Sequence, residues 1–290
     1  MLCLSGNKGI DYRGSGVFLI FLSIQSSFQV LRTPRDQRDH LELSKHLFIA
    51  GAQRSGTTYL YRILDGHPQI EMNKPWWPEP KFFLEPGSEL RVAEYVSKYF
   101  PATTAAILGD KSASYIESVE AASRISKCFP DAQILFILRD PINRAISNYW
   151  YTVQNNLEDK PIDEVLVSEA LQQRQYDHQS ISVSPYSYLK RGRYIDYLNL
   201  YLQHFKVDQI KVLVFENFVG NAVLIKELYR FLRVDHDFVP PTLDEKVNEG
   251  PVGASIVIRP ETEKFLADYY AHSNKLLAER FDIDVGVWQN

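Results

Sequence analysis

Residues 47–58 read Leu47-Phe48-Ile49-Ala50-Gly51-Ala52-Gln53-Arg54-Ser55-Gly56-Thr57-Thr58. A short apolar run ends at a glycine, a loop with a second glycine follows, and Leu60, Ile63 and Leu64 then recur at helical spacing as far as Asp65. Such a run is a buried strand, and the spacing after it is one face of a helix. Glycines at both ends of the loop let the backbone turn tightly around an anion. The helix start points unpaired N–H groups and the positive end of its dipole at the same place. Arg54, Ser55, Thr57 and Thr58 add donors, so Gly51, Ala52, Gln53, Arg54, Ser55, Gly56, Thr57 and Thr58 together form a candidate phosphate loop.

Working outward, the same alternation repeats. Ile134-Leu135-Phe136-Ile137-Leu138 is a second continuous apolar run, followed by Ile142, Ala145, Ile146 and Tyr149 at i, i+3, i+4 and i+7. Pro141 is acceptable in the first turn of that helix. Tyr194, Tyr197, Leu198, Tyr201, Leu202 and Phe205 stripe the strongest helix of the chain. Ile210–Phe215 reads as a third strand, Val223–Leu232 as a helix, and Phe265, Leu266, Tyr269, Tyr270, Leu276 and Leu277 as a final one. Strand–helix alternation predicts an α/β fold: a three-layer α/β/α arrangement, P-loop-like, with a central parallel sheet. One domain over 45–290, preceded by a poorly patterned extension over 1–44, is the economical division.

Composition narrows the function classes. The chain has 290 residues, 45% hydrophobic and 23% charged, with a net charge of −4. That supports a well-buried core and argues against disorder. It also argues against a nucleic-acid partner or a densely sulfated polymer, which favour a basic excess. Cys3 and Cys128 have neither disulfide-framework nor metal-ligand spacing, so no metal is expected. The apolar run Val17–Ile24 is too short to span a bilayer, which takes about 20 residues. No small-residue cleavage site follows it before the charged run Arg32–Asp39. A soluble, cytoplasmic protein is the simpler expectation over a membrane anchor or a signal sequence.

The loop departs from a Walker A motif. Thr57 stands where a nucleoside triphosphatase has the lysine that reaches its terminal phosphates. The fixed cation sits inside the loop instead, at Arg54. A second anion element follows the second strand, where Arg139-Asp140-Pro141 leads to Arg144 and Ser147. Ligands of open α/β sheets collect outside the carboxyl ends of the strands, and Gly51 and Arg139 both lie at such ends. Between these elements, Trp76-Trp77-Pro78-Glu79-Pro80-Lys81-Phe82-Phe83 offers a carboxylate, and Gly109-Asp110-Lys111-Ser112 a cation after a short apolar run.

These segments resemble the sulfotransferases that use 3'-phosphoadenosine 5'-phosphosulfate (PAPS), in particular the branch containing heparan sulfate and other carbohydrate sulfotransferases and their bacterial relatives. Gly51–Thr58 is similar to the family's 5'-phosphosulfate loop, with Arg54 where many members have lysine. Arg139 and Ser147 match its 3'-phosphate positions. Glu79, followed by Lys81, Phe82 and Phe83, matches its proposed general base, with Pro80 a variation inside the pattern. Lys111 matches a lysine that faces the active site. The resemblance also brings the neighbourhood of Lys190-Arg191-Gly192-Arg193, Arg193 included, towards the 3'-phosphate, and Lys246–Ser255 over the adenosine. It implies transfer of a sulfuryl group from PAPS to a hydroxyl or amine of a glycan or small-molecule acceptor, with Glu79, Arg54 and Lys111 as catalytic residues.

Each assignment has a plainer rival. Arg139 could pair with Asp110 or Asp140, Glu79 with Lys81 or Lys74, and Trp76-Trp77 could pack the loop or line an acceptor pocket. His67 is a second candidate base that reads more readily as a helix-terminating residue. At the level of the whole chain, the alternatives are a P-loop nucleotide kinase or triphosphatase with an atypical loop, and a non-catalytic nucleotide-binding module.

Overall fold

The structure is a computed structural model that describes residues 45–101, 104–168, 183–245 and 258–289. The extension over 1–44, with Cys3 and the Val17–Ile24 run, lies outside the described residues, as does the Lys246–Ser255 loop.

Five strands form one wholly parallel sheet: β1 Lys45–Gly51, β2 Ile70–Met72, β3 Ile107–Lys111, β4 Gln133–Leu138 and β5 Ile210–Val214, in the order β2-β3-β1-β4-β5. Nine α-helical segments are described: α1 Thr57–Asp65, α2 Val92–Tyr99, α3 Val119–Cys128, α4 Pro141–Gln154, α5 Ile162–Val165, α6 Tyr194–Tyr201, α7 Phe215–Phe218, α8 Ala222–Leu232 and α9 Pro260–Phe281. The chain steps from β1 outward to β2, returns through β3, and then crosses to β4 on the other side of β1. That reversal leaves a crevice at the carboxyl ends of β1, β3 and β4.

Side-chain alternation along the strands divides the interior in two. Leu47 and Ile49 of β1, with Leu135 and Ile137 of β4, pack against Leu60, Ile63 and Leu64 of α1 and Ile225, Leu228 and Leu232 of α8. Phe48 and Ala50, with Phe136 and Leu138, face the opposite layer: Tyr95 of α2, Ile125 of α3, and Tyr194, Leu198 and Tyr201 of α6. Continuous apolar runs are what a strand covered on both faces requires. A third, smaller cluster joins Ala145 and Tyr149 of α4 to Tyr188, Leu266 and Tyr270.

Several elements differ from the sequence reading, which contains neither α2 nor α3. The Tyr-rich helix stops at Tyr201, and Phe205 follows in turns while still packing in the same core. Phe215 leaves β5 to open α7, which sends its ring into the crevice rather than along the sheet. The short strand β2, absent from the sequence reading, pairs with the outer side of β3. Among the described residues, no helix is long and apolar enough to cross a membrane.

Phe48 sits at the centre of the aromatic layer, fully buried, with the rings of Phe129, Phe83 and Tyr115 at 5.7, 5.8 and 6.4 Å. Phe48→Ala is expected to destabilise the domain by about 3–5 kcal/mol. Urea unfolding reads this as a lower midpoint at unchanged slope.

Candidate active site

The crevice is lined on one side by the loop after β1, including Gln53, Arg54, Thr57 and Thr58, and on the other by Trp76, Trp77, Glu79 and Lys111. Gly56 caps α1 with a left-handed backbone at φ 91°. A Cβ there would lie 2.4 Å from the Phe215 ring, so the position admits only glycine on two counts. No side chain caps α1, so its first-turn amides face the crevice without a protein acceptor from the cap residue. The loop is tied down at its start, where the Ala52 amide donates to the Ile137 carbonyl at 2.9 Å.

Two guanidinium groups converge over this loop. Arg54 donates from Nε to Ser147 Oγ at 3.2 Å and lies over the Tyr151 ring, 5.1 Å from its centroid. Arg139, at the carboxyl end of β4, lies over the Phe215 ring at 5.3 Å. Among the described residues, neither has a carboxylate within ion-pair distance. Asp140 is engaged in capping α4, accepting from the amides of Ile142 at 3.1 Å and Asn143 at 3.4 Å. Asp110 is held elsewhere, as described below. The rival ion pairs for Arg139 are therefore not formed. Burial lowers the Arg54 pKa, and the charges of Arg139 and Arg144 lower it further, against an opposing contribution from Tyr151. Arg54 and Arg139 are both half-buried, and cations partly withdrawn from water carry a desolvation penalty that an anionic ligand relieves.

The opposite wall presents the carboxylate. Glu79 Oε1 lies 3.1 Å from Lys111 Nζ, and Glu79 Oε2 accepts from the Ala113 amide at 3.0 Å. Lys111 is 2% exposed and its ammonium also lies 5.6 Å from the Trp76 ring centroid. The partner of Glu79 is thus Lys111, rather than Lys74 or Lys81. Lys74 is taken up by Asp65 at 2.6 Å and by the Tyr61 hydroxyl at 3.1 Å. Trp76 and Trp77 are 48% and 46% exposed, so they flank the crevice as open aromatic faces and do not simply fill the core. His67 stands outside the crevice. Its Nδ1 accepts from the Gln69 amide, which leaves the proton on Nε2 to donate to the Asp235 carbonyl at 2.9 Å.

One buried arginine ties the two anion elements together. Arg191 is fully buried. It holds the Glu117 carboxylate with Nε at 2.6 Å and Nη2 at 3.1 Å, and Asn148 Oδ1 with Nη1 at 3.0 Å. Glu117 in turn accepts from Gln53 Nε2 of the loop at 3.2 Å, while Asn148 sits beside Ser147 on α4. Arg193, by contrast, does not line the crevice: its Nε donates to Asp196 at 2.7 Å and it lies over the Tyr269 ring. Of the sequence candidates, the crevice gathers Gln53, Arg54, Gly56, Thr57, Thr58, Glu79, Lys111, Arg139 and Ser147. Tyr151, Phe215 and the Arg191 tether were not singled out. Each depends on tertiary placement, and only the basic run at 190–193 hinted at one of them.

Asp110, wholly buried at the base of this wall, has its pKa pushed up to about 7, chiefly by burial. Hydrogen bonds from Ser112, Tyr95 and Tyr115 act the other way, and the Glu79 charge raises it further.

Strand order, the uncapped start of α1 and the paired guanidinium groups give a P-loop-like α/β fold with a cationic crevice at the strand ends. Comparison with known proteins places it more closely. Residues 44–249 match the sulfotransferase domain family, and the chain belongs to that family. It is 29% identical over 205 residues to mouse bifunctional heparan sulfate N-deacetylase/N-sulfotransferase 4, an alignment covering 68% of this chain and 23% of that protein. It is 39% identical over 123 residues to the human N-deacetylase/N-sulfotransferase 3, covering 40% of this chain and 14% of the relative. The chain therefore spans under a quarter of the length of these relatives. A sulfotransferase crystal structure from Alicyclobacillus acidocaldarius superposes with a TM-score of 0.70 at 27% identity, covering 85% of this chain and 99% of that one. These findings bear out the sulfotransferase reading and the P-loop-like fold, and they disfavour the nucleotide kinase.

The Asp110 shift fixes a pH dependence. Between about pH 4 and pH 7 the folded protein keeps a proton that the unfolded chain releases, so this group's contribution falls as pH rises through that window. The loss is on the order of 4 kcal/mol at most. Asp110→Asn cannot ionise, so its stability relative to the parent protein is expected to improve from pH 5 to pH 8. Denaturation at the two pH values checks this, and a constant difference would contradict it.

Proposed function

We propose that the crevice binds PAPS and transfers its sulfuryl group to a hydroxyl or amine of a glycan or small-molecule acceptor. The observation that carries this reading is the pair Arg54 and Arg139, two crevice cations without carboxylate partners among the described residues, set above the uncapped first turn of α1. The crevice offers adjoining cations and hydroxyls, Arg54 beside Ser147 and Arg139 at the end of β4, to a ligand with more than one anionic group. The α1 amides with Arg54, Thr57 and Thr58 hold the 5'-phosphosulfate, and Arg139 with Ser147 holds the 3'-phosphate.

Bound PAPS supplies an activated sulfuryl group whose S–O bond to the 5'-phosphate is the one that breaks. Glu79, fixed by Lys111 and the Ala113 amide, takes the acceptor's proton as the acceptor oxygen or nitrogen bonds to sulfur. Lys111 and Arg54, the cations of the two walls, would stabilise the charge that gathers on the transferring and leaving oxygens. Trp76 and Trp77 border the acceptor side, where flat apolar faces suit a sugar ring or another ring-bearing molecule. The heparan sulfate activity in the relatives' names supports a glycan among the acceptors. Among the described residues, no group of side chains has the make-up of a metal site, and the scheme assigns no step to a metal.

Calorimetric titration with 3'-phosphoadenosine 5'-phosphate (PAP), against ATP with magnesium, tests the donor. Metal-independent micromolar binding is expected, weakened by roughly 10- to 100-fold in Arg139→Ala, since a hydrogen bond to a charged group contributes about 1.5–3 kcal/mol. Binding of ATP–magnesium alone would overturn the reading. Glu79→Gln is expected to keep PAP affinity and to lower transfer by about 100-fold or more.

A further inference from the structure

Asp110 takes no part in the chemistry above, yet it is a wholly buried carboxylate one residue before Lys111. Three hydroxyls donate to it: Ser112 Oγ to Oδ1 at 2.8 Å, and Tyr95 and Tyr115 to Oδ2 at 3.1 and 3.2 Å. Two of those hydroxyls also accept. Ser112 Oγ receives the Lys81 amide at 2.9 Å, and the Tyr115 hydroxyl receives the Phe83 amide at 3.2 Å. Lys81 and Phe83 follow Glu79 by two and four residues. A hydroxyl has one proton and two lone pairs. An ionised carboxylate, acceptor only, claims the proton and leaves the lone pairs turned towards the backbone amides.

We infer that Asp110 is a positioning residue for the reaction: through Ser112 and Tyr115 it fixes the backbone that carries the Glu79 carboxylate against the end of β3. The segment is pinned at both ends by the same strand. Asn73 Oδ1 accepts from the Lys111 amide at 2.9 Å, and the Asn73 amide donates to the Gly109 carbonyl at 2.7 Å. Ahead of Glu79, β3 therefore holds the chain through Asn73. Behind Glu79, it holds the chain through the two hydroxyls. The carboxylate lies between, tied to Lys111 and Ala113. Without the two hydroxyls the Phe82 and Phe83 rings stay in the core and Arg124 still donates to the Phe83 carbonyl, but the Lys81 and Phe83 amides lose their acceptors and the backbone after Glu79 loosens. Displacement of a catalytic group by about 1 Å costs roughly 100-fold in rate. Asn in place of Asp110 turns a donor towards one of the hydroxyls, whose own proton is then left without an acceptor, so a near-isosteric change disrupts one arm.

This inference rests on the reading of Glu79 as the base, and its test separates the two. Ser112→Ala, Tyr115→Phe and Asp110→Asn are compared with the parent protein at pH 8, where Asp110 is ionised. Three quantities are read: hydrogen exchange of the 79–84 segment, PAP affinity by calorimetry, and the rate of PAP formation from PAPS with water as acceptor. The expected result is exchange at least about tenfold faster over 79–84, a PAPS turnover rate lower by about 10- to 100-fold, and PAP affinity within about twofold of the parent. Unchanged exchange or unchanged turnover in Ser112→Ala and Tyr115→Phe overturns the inference, and so does a matching loss of PAP affinity. Those two variants keep the buried charge, so they decide the matter if Asp110→Asn does not fold. Failure of the parent protein to bind PAP, or unchanged turnover in Glu79→Gln, would instead sink the donor or base assignment, while the exchange result would stand by itself.

Discussion

The site depends on positive charge partly shielded from water without a carboxylate, among the described residues, to balance it. Arg54 and Arg139 come together because the loop after β1 and the end of β4 are neighbours across the reversal in strand order, and each guanidinium rests on an aromatic face. The nearby acid is diverted: Asp140 caps α4, and so stabilises the helix that presents Ser147. Left uncompensated, such a cluster works against folding. The surrounding scaffold offsets it with two apolar layers over the sheet and with Arg191, whose guanidinium spans Glu117 and Asn148 and thereby fixes the loop relative to α4.

The two walls are built on different physical terms. On the wall proposed for the donor the groups on offer are main-chain amides and rigid guanidinium groups, and Gly56 is required because Phe215 occupies the space of a side chain. On the acceptor side a single segment carries Trp76, Trp77 and Glu79, joined to the sheet by hydrogen bonds to β3 and the residues just after it. Lys111 braces that segment, its ammonium held between Glu79 and the Trp76 ring.

Much of this was legible in the sequence because short-range pattern dictates it. Leu47–Ala50 and Ile134–Leu138 could be read as buried strands, and the strand–loop–helix unit at 47–65 carried the position of the anion loop with it. What escaped depends on contacts distant in sequence. Gln53 meets Glu117 64 residues away, and Glu117 meets Arg191 across 74. No local spacing distinguishes Arg191, fully buried, from Arg193, which pairs on the surface with Asp196. Asp110 was visible only as the residue before a lysine and as a possible partner for Arg139. Its burial follows from β3 lying between β1 and β2, and β2 was too short to read from three residues.

The separate anchoring of the two walls bears on how such a protein could diversify. The stretch from Asn73 to Phe83 begins on β3 and ends on Ser112 and Tyr115 just beyond it, and its attachments there use the Asn73 side chain and backbone amides. Residues 74–78 between the attachments, Trp76 and Trp77 among them, are exposed and carry little of the fold's stability. Under the proposed assignment, recognition of the acceptor is then a cassette. It can be rewritten by drift or by grafting, while the phosphate-holding frame, interlocked through Arg54, Arg139 and Arg191, remains under constant constraint.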